Sequence, residues 1–71
     1  MTDTVMLTEK VKNSPLKIGY IASYCQLSRS GFRNKLKGKY PFNQREIIAL
    51  SDILNLNTQE REQIFFALNG Q

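Results

Sequence analysis

Nine of the ten basic side chains lie in one stretch of the chain, residues 10–45, and this stretch contains no aspartate or glutamate. Ammonium and guanidinium groups that are segregated in this way bind polyanions, of which nucleic acid is the most common. A solvated cationic surface is the plainer alternative. A membrane-binding helix fits less well, because no segment pairs these cations with one broad apolar face. The charge pattern therefore favours a nucleic-acid partner.

The chain lacks the residues that most enzyme and metal sites require. Its 71 residues include no histidine and a single cysteine. This composition excludes an intrachain disulfide, a zinc site of histidine and cysteine ligands, and a histidine-based catalytic triad. No apolar run is long enough to span a membrane or to form the core of a signal peptide. We therefore expect a cytoplasmic binding module without cofactor or metal, rather than an enzyme.

The spacing of caps and apolar residues predicts one all-α domain, residues 1–71, with four to five short helices. The first helix is expected over Val5–Lys12. Ser14 and Pro15 fit the N-cap and first position of the second helix. The buried stripe of that helix is expected to contain Ile18, Ile21, Ala22 and Cys25.

Polar capping residues mark the remaining helices. The expected caps are Ser28 for the third helix, Asn43 with Glu46 for the fourth, and Asn57 or Thr58 for the fifth. The expected inward residues are Phe32 and Leu36, then Ile47, Leu50, Ile53 and Leu54, then Ile64, Phe65 and Leu68. Gly38 should end the third helix, because a residue without Cβ adopts the left-handed conformation readily, and Asn69-Gly70 should end the fifth.

The connection between the second and third helices is very short. Ala22 is small where the two helices approach, and Leu27 and Phe32 are apolar where they would fill the angle between them. A small residue in the first helix, with apolar residues in the turn and in the second helix, is typical of a helix-turn-helix. The motif is expected over about residues 16–38.

The segment Ile21-Ala22-(x)4-Leu27-Ser28-Arg29-Ser30-x-Phe32 resembles the core of the phage Cro/CI-type helix-turn-helix regulators. Its continuation, SRSGFRNKLKGK followed by PFNQREII, is similar to small Cro-like and modulator-of-repression proteins from temperate phages of Gram-positive bacteria. The resemblance covers about residues 16–66. It implies a lambda-repressor-like domain of five helices that acts in a lysis–lysogeny switch in the bacterial host cytoplasm.

The resemblance leaves two modes of action open. One is a transcriptional regulator that binds double-stranded operator DNA through the third helix. The other is an antirepressor or co-repressor that binds the phage CI-type repressor, and a homodimer is also open. Two positions depart from the family pattern. Gln26 occupies the turn position where the family often has glycine, at a cost of about 1 kcal/mol if its backbone is left-handed. Ile18 replaces a glutamine that contacts a phosphate.

Helical geometry assigns roles along the third helix. Ser30 and Asn34 face away from the core, and Arg29 lies in the first turn. Arg29 is suited to guanine and Asn34 to adenine, and with Ser30 they match the positions that usually read bases in the family. The expected phosphate contacts are Ser28, Arg33, Lys35, Lys37 and Lys39. The alternative for each is ordinary helix surface.

A second set of residues is apolar beyond what the predicted core needs. Tyr20 and Tyr24 lie one turn apart on the outer side of the second helix, where they would be plain surface, a protein contact or phosphate donors. Phe42, Ile48 and Phe66 either close the core, which we favour, or form a surface for a homodimer or another partner. Cys25 is expected to be a small core residue.

Overall fold

The computed structural model describes residues 2–66, which form five helices and no strand. The helices are α1 (Thr4–Asn13), α2 (Ile18–Tyr24), α3 (Arg29–Leu36), α4 (Gln44–Ile53) and α5 (Thr58–Phe65). The predicted all-α fold is therefore confirmed. The expectations that Leu68 faces inward and that Asn69-Gly70 ends the last helix lie outside the described residues.

The core is formed where α2 packs against α3 and α4 and where α1 packs against α3 and α5. Phe32 is fully buried at its centre. The ring centroids of Phe32 and Phe42 lie 6.2 Å apart in an edge-to-face arrangement. The ring centroids of Phe42 and Phe65 lie 6.0 Å apart in the same arrangement. The buried hydrophobic residues are Leu7, Val11, Ile21, Ala22, Cys25, Phe32, Leu36, Phe42, Leu50, Ile64 and Phe65. Phe42 thus belongs to the core, as we favoured, and the alternative that places it on a partner surface is wrong.

The helix ends follow from short capping contacts. Ser28 Oγ accepts the backbone N–H of Gly31 at 3.0 Å, as predicted. Reciprocal capping boxes begin α4, where Asn43 pairs with Glu46, and α5, where Asn57 pairs with Glu60. Each box satisfies backbone N–H groups that the first turn of a helix otherwise leaves without partners. The cap of α4 was predicted with its partner, whereas the acidic partner in α5 was not.

The start of α2 differs from the prediction. Ser14 closes α1 by donating its backbone N–H to the Val11 carbonyl oxygen. Ser14 is extended, with ψ of 141°, which is the conformation that a following proline imposes. Its Oγ then accepts the N–H of Leu16, so Ser14 and Pro15 form the bend between the helices. The N-cap of α2 is Lys17, without a side-chain cap bond.

Three helices end in the same backbone motif. The residue after the C-cap is left-handed in each, with φ of 61° at Gln26, 83° at Gly38 and 55° at Asn55. After α3, the N–H of Lys39 bonds to the Asn34 carbonyl oxygen at 3.0 Å, as in a Schellman motif. Gly38 therefore ends α3 as predicted, and Gln26 keeps the left-handed conformation at the cost expected for a residue with a Cβ.

Candidate nucleic-acid interface

The turn between α2 and α3 sets the direction of α3. Ala22 is 1% exposed, and its carbonyl oxygen accepts the N–H of Leu27 at 2.9 Å. Leu27 is partly buried against the core and Phe32 is fully buried. Because Ala22 has no side chain beyond Cβ, the two helices approach closely and the outer side of α3 is left facing solvent.

The predicted base-reading residues lie on that outer side. Arg29 and Ser30 are exposed, and Asn34 is partly buried. The Arg29 guanidinium lies across α2, because a Cβ placed on Gly19 would be 3.0 Å from its Nη2 atom. The absence of a side chain at Gly19 makes room for this position of the Arg29 guanidinium.

Four of the five predicted phosphate-contacting residues are exposed: Ser28, Arg33, Lys37 and Lys39. The Ser28 hydroxyl already accepts a backbone N–H, and its hydrogen is free to be donated to a phosphate oxygen. A Cβ on Gly31 would lie 3.0 Å from Ser28 Oγ, so Gly31 leaves room for this cap. The start of α3 therefore presents the Ser28 hydroxyl and the Arg29 guanidinium at one exposed surface.

Lys35 departs from the prediction, because its charge is used inside the protein. Its Nζ lies 2.6 Å from Oε1 of Glu46, a residue only 5% exposed. The same Oε1 accepts the backbone N–H of Asn43 at 3.0 Å. This ion pair joins the last turn of α3 to the first turn of α4. Lys35 is thus a link between helices and is not presented as a phosphate ligand.

The buried carboxylate also acts on a neighbouring thiol. Burial, with a smaller contribution from the charge of Glu46, raises the pKa of the Cys25 thiol to about 11. Cys25 is 4% exposed and belongs to the core, as predicted. A buried thiol that stays protonated is a poor nucleophile and a poor metal ligand.

Other acidic side chains are also engaged. Lys10 Nζ lies 2.5 Å from Glu60 Oε2, and this hydrogen bond, with a second from the Asn57 backbone, lowers the pKa of Glu60. The Tyr24 hydroxyl donates to Asp52, and that hydrogen bond together with the charge of Asp52 raises the pKa of Tyr24. The chain has ten basic and six acidic side chains. Within residues 2–66, two ion pairs each engage one basic and one acidic side chain, so eight basic and four acidic side chains remain outside ion pairs.

The predicted partner-surface residues divide between core and surface. Tyr20 is 58%, Ile48 52% and Phe66 48% exposed, and Tyr24 is exposed despite its bond to Asp52. Our preference for Ile48 and Phe66 as core residues is therefore not met. Phe66 lines an apolar groove beside Tyr40. Ile18, in contrast, packs against the core.

Sequence reasoning missed the ion pair of Lys35 and Glu46 and the contact of Arg29 with Gly19. The available signals were that Glu46 is the first acid after the cationic stretch and that a glycine stands inside a helix, where it lowers helix propensity. Within residues 2–66 no group of three or more His, Cys, Asp or Glu side chains is arranged to hold a metal ion.

No helix among the described residues combines the length and hydropathy needed to cross a membrane. Comparison of the chain with protein-family models, with curated proteins and with solved structures gives no match.

Proposed function

We propose that the chain is a Cro-like helix-turn-helix regulator that binds double-stranded operator DNA by inserting α3 into the major groove. The observation that carries this proposal is the outer side of α3. Arg29 and Ser30 are exposed in its first turn, while Phe32 and Leu36 anchor its opposite side in the core. No carboxylate lies on α3, and the nearby Glu46 is buried and paired.

The distribution of charge adds to the attraction for DNA. Eight cations against four acids remain outside ion pairs in residues 2–66. The unpaired cations include Arg29, Arg33, Lys37 and Lys39 on or next to α3. Phosphate contacts by such groups release counterions from DNA, which is the main source of sequence-independent affinity.

The residues of the proposed interface have distinct tasks. Arg29 takes the O6 and N7 atoms of a guanine, Asn34 takes adenine, and Ser30 contacts a neighbouring base. Phosphates are bound by Ser28, Arg33, Lys37 and Lys39. A regulator of this kind would control transcription in a phage lysis–lysogeny switch, in the cytoplasm of the bacterial host.

The test is binding of the purified chain to labelled DNA from upstream of its own reading frame, against a shuffled duplex, at several salt concentrations. With the three cations Arg33, Lys37 and Lys39 on phosphates, log K should fall against log salt with a slope of about −3. Arg29→Ala should reduce the preference for the upstream DNA at a cost of about 1–3 kcal/mol. Lys35→Ala should leave the slope unchanged, because the charge of Lys35 is matched by Glu46. Equal affinity for both duplexes would refute operator recognition.

A second candidate function is supported by a different observation. Tyr20, Tyr24 and Ile48 are exposed on α2 and α4, and exposed aromatic and aliphatic side chains serve protein contacts. In this case the chain is an antirepressor that binds the phage CI-type repressor. Mixing the chain with that repressor on operator DNA separates the two functions. A shift of DNA by the chain alone supports DNA binding, and release of the repressor without such a shift supports the antirepressor.

A further inference from the structure

The outer surface of α2 and α4 combines apolar and basic groups around one groove. We name it the α2/α4 face; Tyr20 and Tyr24 lie on α2, Arg45, Ile48, Ala49 and Asp52 on α4, and Leu56 in the following loop and Arg61 on α5 complete it. All but Tyr20 line the groove. Tyr20 precedes Tyr24 by one turn of α2, and Ile48 precedes Asp52 by one turn of α4, so each pair extends along one side of its helix. The face is thus continuous across two packed helices.

This face holds a large part of the exposed apolar surface. The large hydrophobic residues exposed within residues 2–66 are Val5, Tyr20, Tyr24, Tyr40, Ile48 and Phe66, and half of them lie here. Ala49 and Leu56, both partly buried, form an apolar floor between the more exposed side chains. Tyrosine, arginine and aliphatic side chains around such a floor are the composition of protein-binding hot spots.

The aromatic part of the face is held in place before any partner arrives. The Tyr24 hydroxyl donates to the Asp52 carboxylate, which joins α2 to α4 across the groove. A side chain that is already ordered loses less conformational entropy on binding. The bond also engages the one carboxylate among the groove residues.

The remaining charges of the groove are positive. Arg45 is exposed and Arg61 is partly buried, and neither makes an ion pair within residues 2–66. Arginine presents a planar fork of N–H donors that matches a carboxylate in a bidentate pair. An occupant that complements this face therefore carries apolar side chains for the floor and carboxylates for the two arginines.

We propose that the α2/α4 face binds an amphipathic helix of another protein, one with an apolar stripe flanked by aspartate or glutamate. Helices bind apolar grooves through side chains spaced by about one turn, which fits a groove lined by α2 and α4 with Leu56 and Arg61 at its edge. The inference deepens the antirepressor candidate by naming its docking surface and rests on that candidate only for the partner's identity. It does not depend on DNA binding by α3.

The test uses the full chain and a fluorescein-labelled helical peptide with leucines along one side, flanked by glutamates. Fluorescence anisotropy should show binding to the parent chain and at least tenfold weaker binding to Ile48→Ser. Replacing the peptide's glutamates by lysines should weaken binding at least tenfold. Arg45→Ala should remove most of the difference between the two peptides. Val5→Ser is the matched control, because Val5 is 75% exposed but lies on α1.

Four results would overturn the inference. Equal binding of the glutamate and lysine peptides would show unspecific apolar contact. Equal effects of Ile48→Ser and Val5→Ser would show that the face is not used, provided that circular dichroism shows both variants folded. Self-association in sedimentation equilibrium that Ile48→Ser abolishes would assign the face to a second copy of the chain. If Arg45→Ala instead flattens the salt slope for DNA without affecting the peptide, Arg45 belongs to the DNA interface and the proposed docking is wrong.

Discussion

Replacing Lys35 by methionine should destabilise the protein far more than the same change at Lys37, two residues along. Lys35 Nζ lies 2.6 Å from Oε1 of Glu46, with side-chain exposures of 18% and 6%. Methionine keeps the apolar stem of the lysine in place and removes only the charge. The carboxylate of Glu46 then stays buried with the backbone N–H of Asn43 as its hydrogen-bond donor.

The magnitude follows from the depth of the pair. Removing one partner of a fully buried pair costs about 3–5 kcal/mol, whereas exposed pairs contribute about 0–1 kcal/mol. Lys35→Met leaves the more buried partner uncompensated, while water still reaches the lysine side, so we expect a loss of about 2 kcal/mol. For a domain of this size the midpoint of thermal unfolding should fall by about 8–16 °C.

Thermal and urea unfolding followed by circular dichroism at neutral pH measure this loss. Glu46→Gln keeps an oxygen for the Asn43 N–H and should cost about 1 kcal/mol, because the Lys35 ammonium can turn to solvent. The double variant should be more stable than the sum of the single losses predicts, with a coupling of about 1–2 kcal/mol. Lys37→Met, an exposed control at the end of the same helix, should stay within about 0.5 kcal/mol of the parent. Equal stability of the Lys35→Met and Lys37→Met variants would refute this account. A loss in the double variant equal to the sum of the Lys35→Met and Glu46→Gln losses would refute it as well.

Four further predictions probe other contacts. Ala22→Leu should lose about 1–3 kcal/mol in urea unfolding, because a larger side chain must separate α2 from α3; parent-like stability would argue against their close approach. Gly19→Ala should stabilise the chain by up to about 1 kcal/mol yet change its DNA preference, because the new Cβ displaces the Arg29 guanidinium, and unchanged binding would show that this resting position is irrelevant. Lys37→Ala should flatten the salt slope of DNA binding by about one unit without changing sequence preference; an unchanged slope would remove Lys37 from the interface. In the folded chain the pKa of the Cys25 thiol is raised to about 11, above its unfolded pKa of about 8.5. The resulting contribution to the free energy of unfolding is fully present below the unfolded pKa and is lost as the pH rises towards the folded pKa. Stability of the parent should therefore decline more steeply over this pH interval than that of Cys25→Ala, and parallel curves would contradict it.

Short-range contacts made much of the fold predictable. A cap bonds to a backbone group within the same turn, so Ser28, Asn43 and Gly38 mark the ends of their helices in the sequence itself. The inward positions of α3 follow equally from helical periodicity. The cationic stretch and the exposed positions of Arg29 and Ser30 in the first turn of α3 could also be predicted, because they follow from residue order and helical periodicity alone.

Local reasoning misplaced the start of α2 because two signals compete at Ser14. A serine before a proline satisfies the pattern of an N-cap followed by the first helical residue. The same serine must be extended before proline, and here it closes α1 and bonds to Leu16. Which role it takes depends on where α1 ends against the core, and that is a property of the packed molecule.

Only the tertiary structure decided which residues of the candidate surfaces are available. Lys35 and Glu46 are separated by eleven positions, and their side chains meet where the end of α3 lies against the start of α4. Periodicity places Lys35 on the helix surface, but its ion pair means that it is not available to bind a phosphate. Phe42 lies in the loop between α3 and α4 yet packs between Phe32 and Phe65, while Ile48 is 52% exposed on the outer side of α4. Residue types and spacing determine which groups can serve as caps, anchors or ligands. Burial and ion pairing between distant segments determine which of them remain free to bind, because these depend on distances that no local pattern contains.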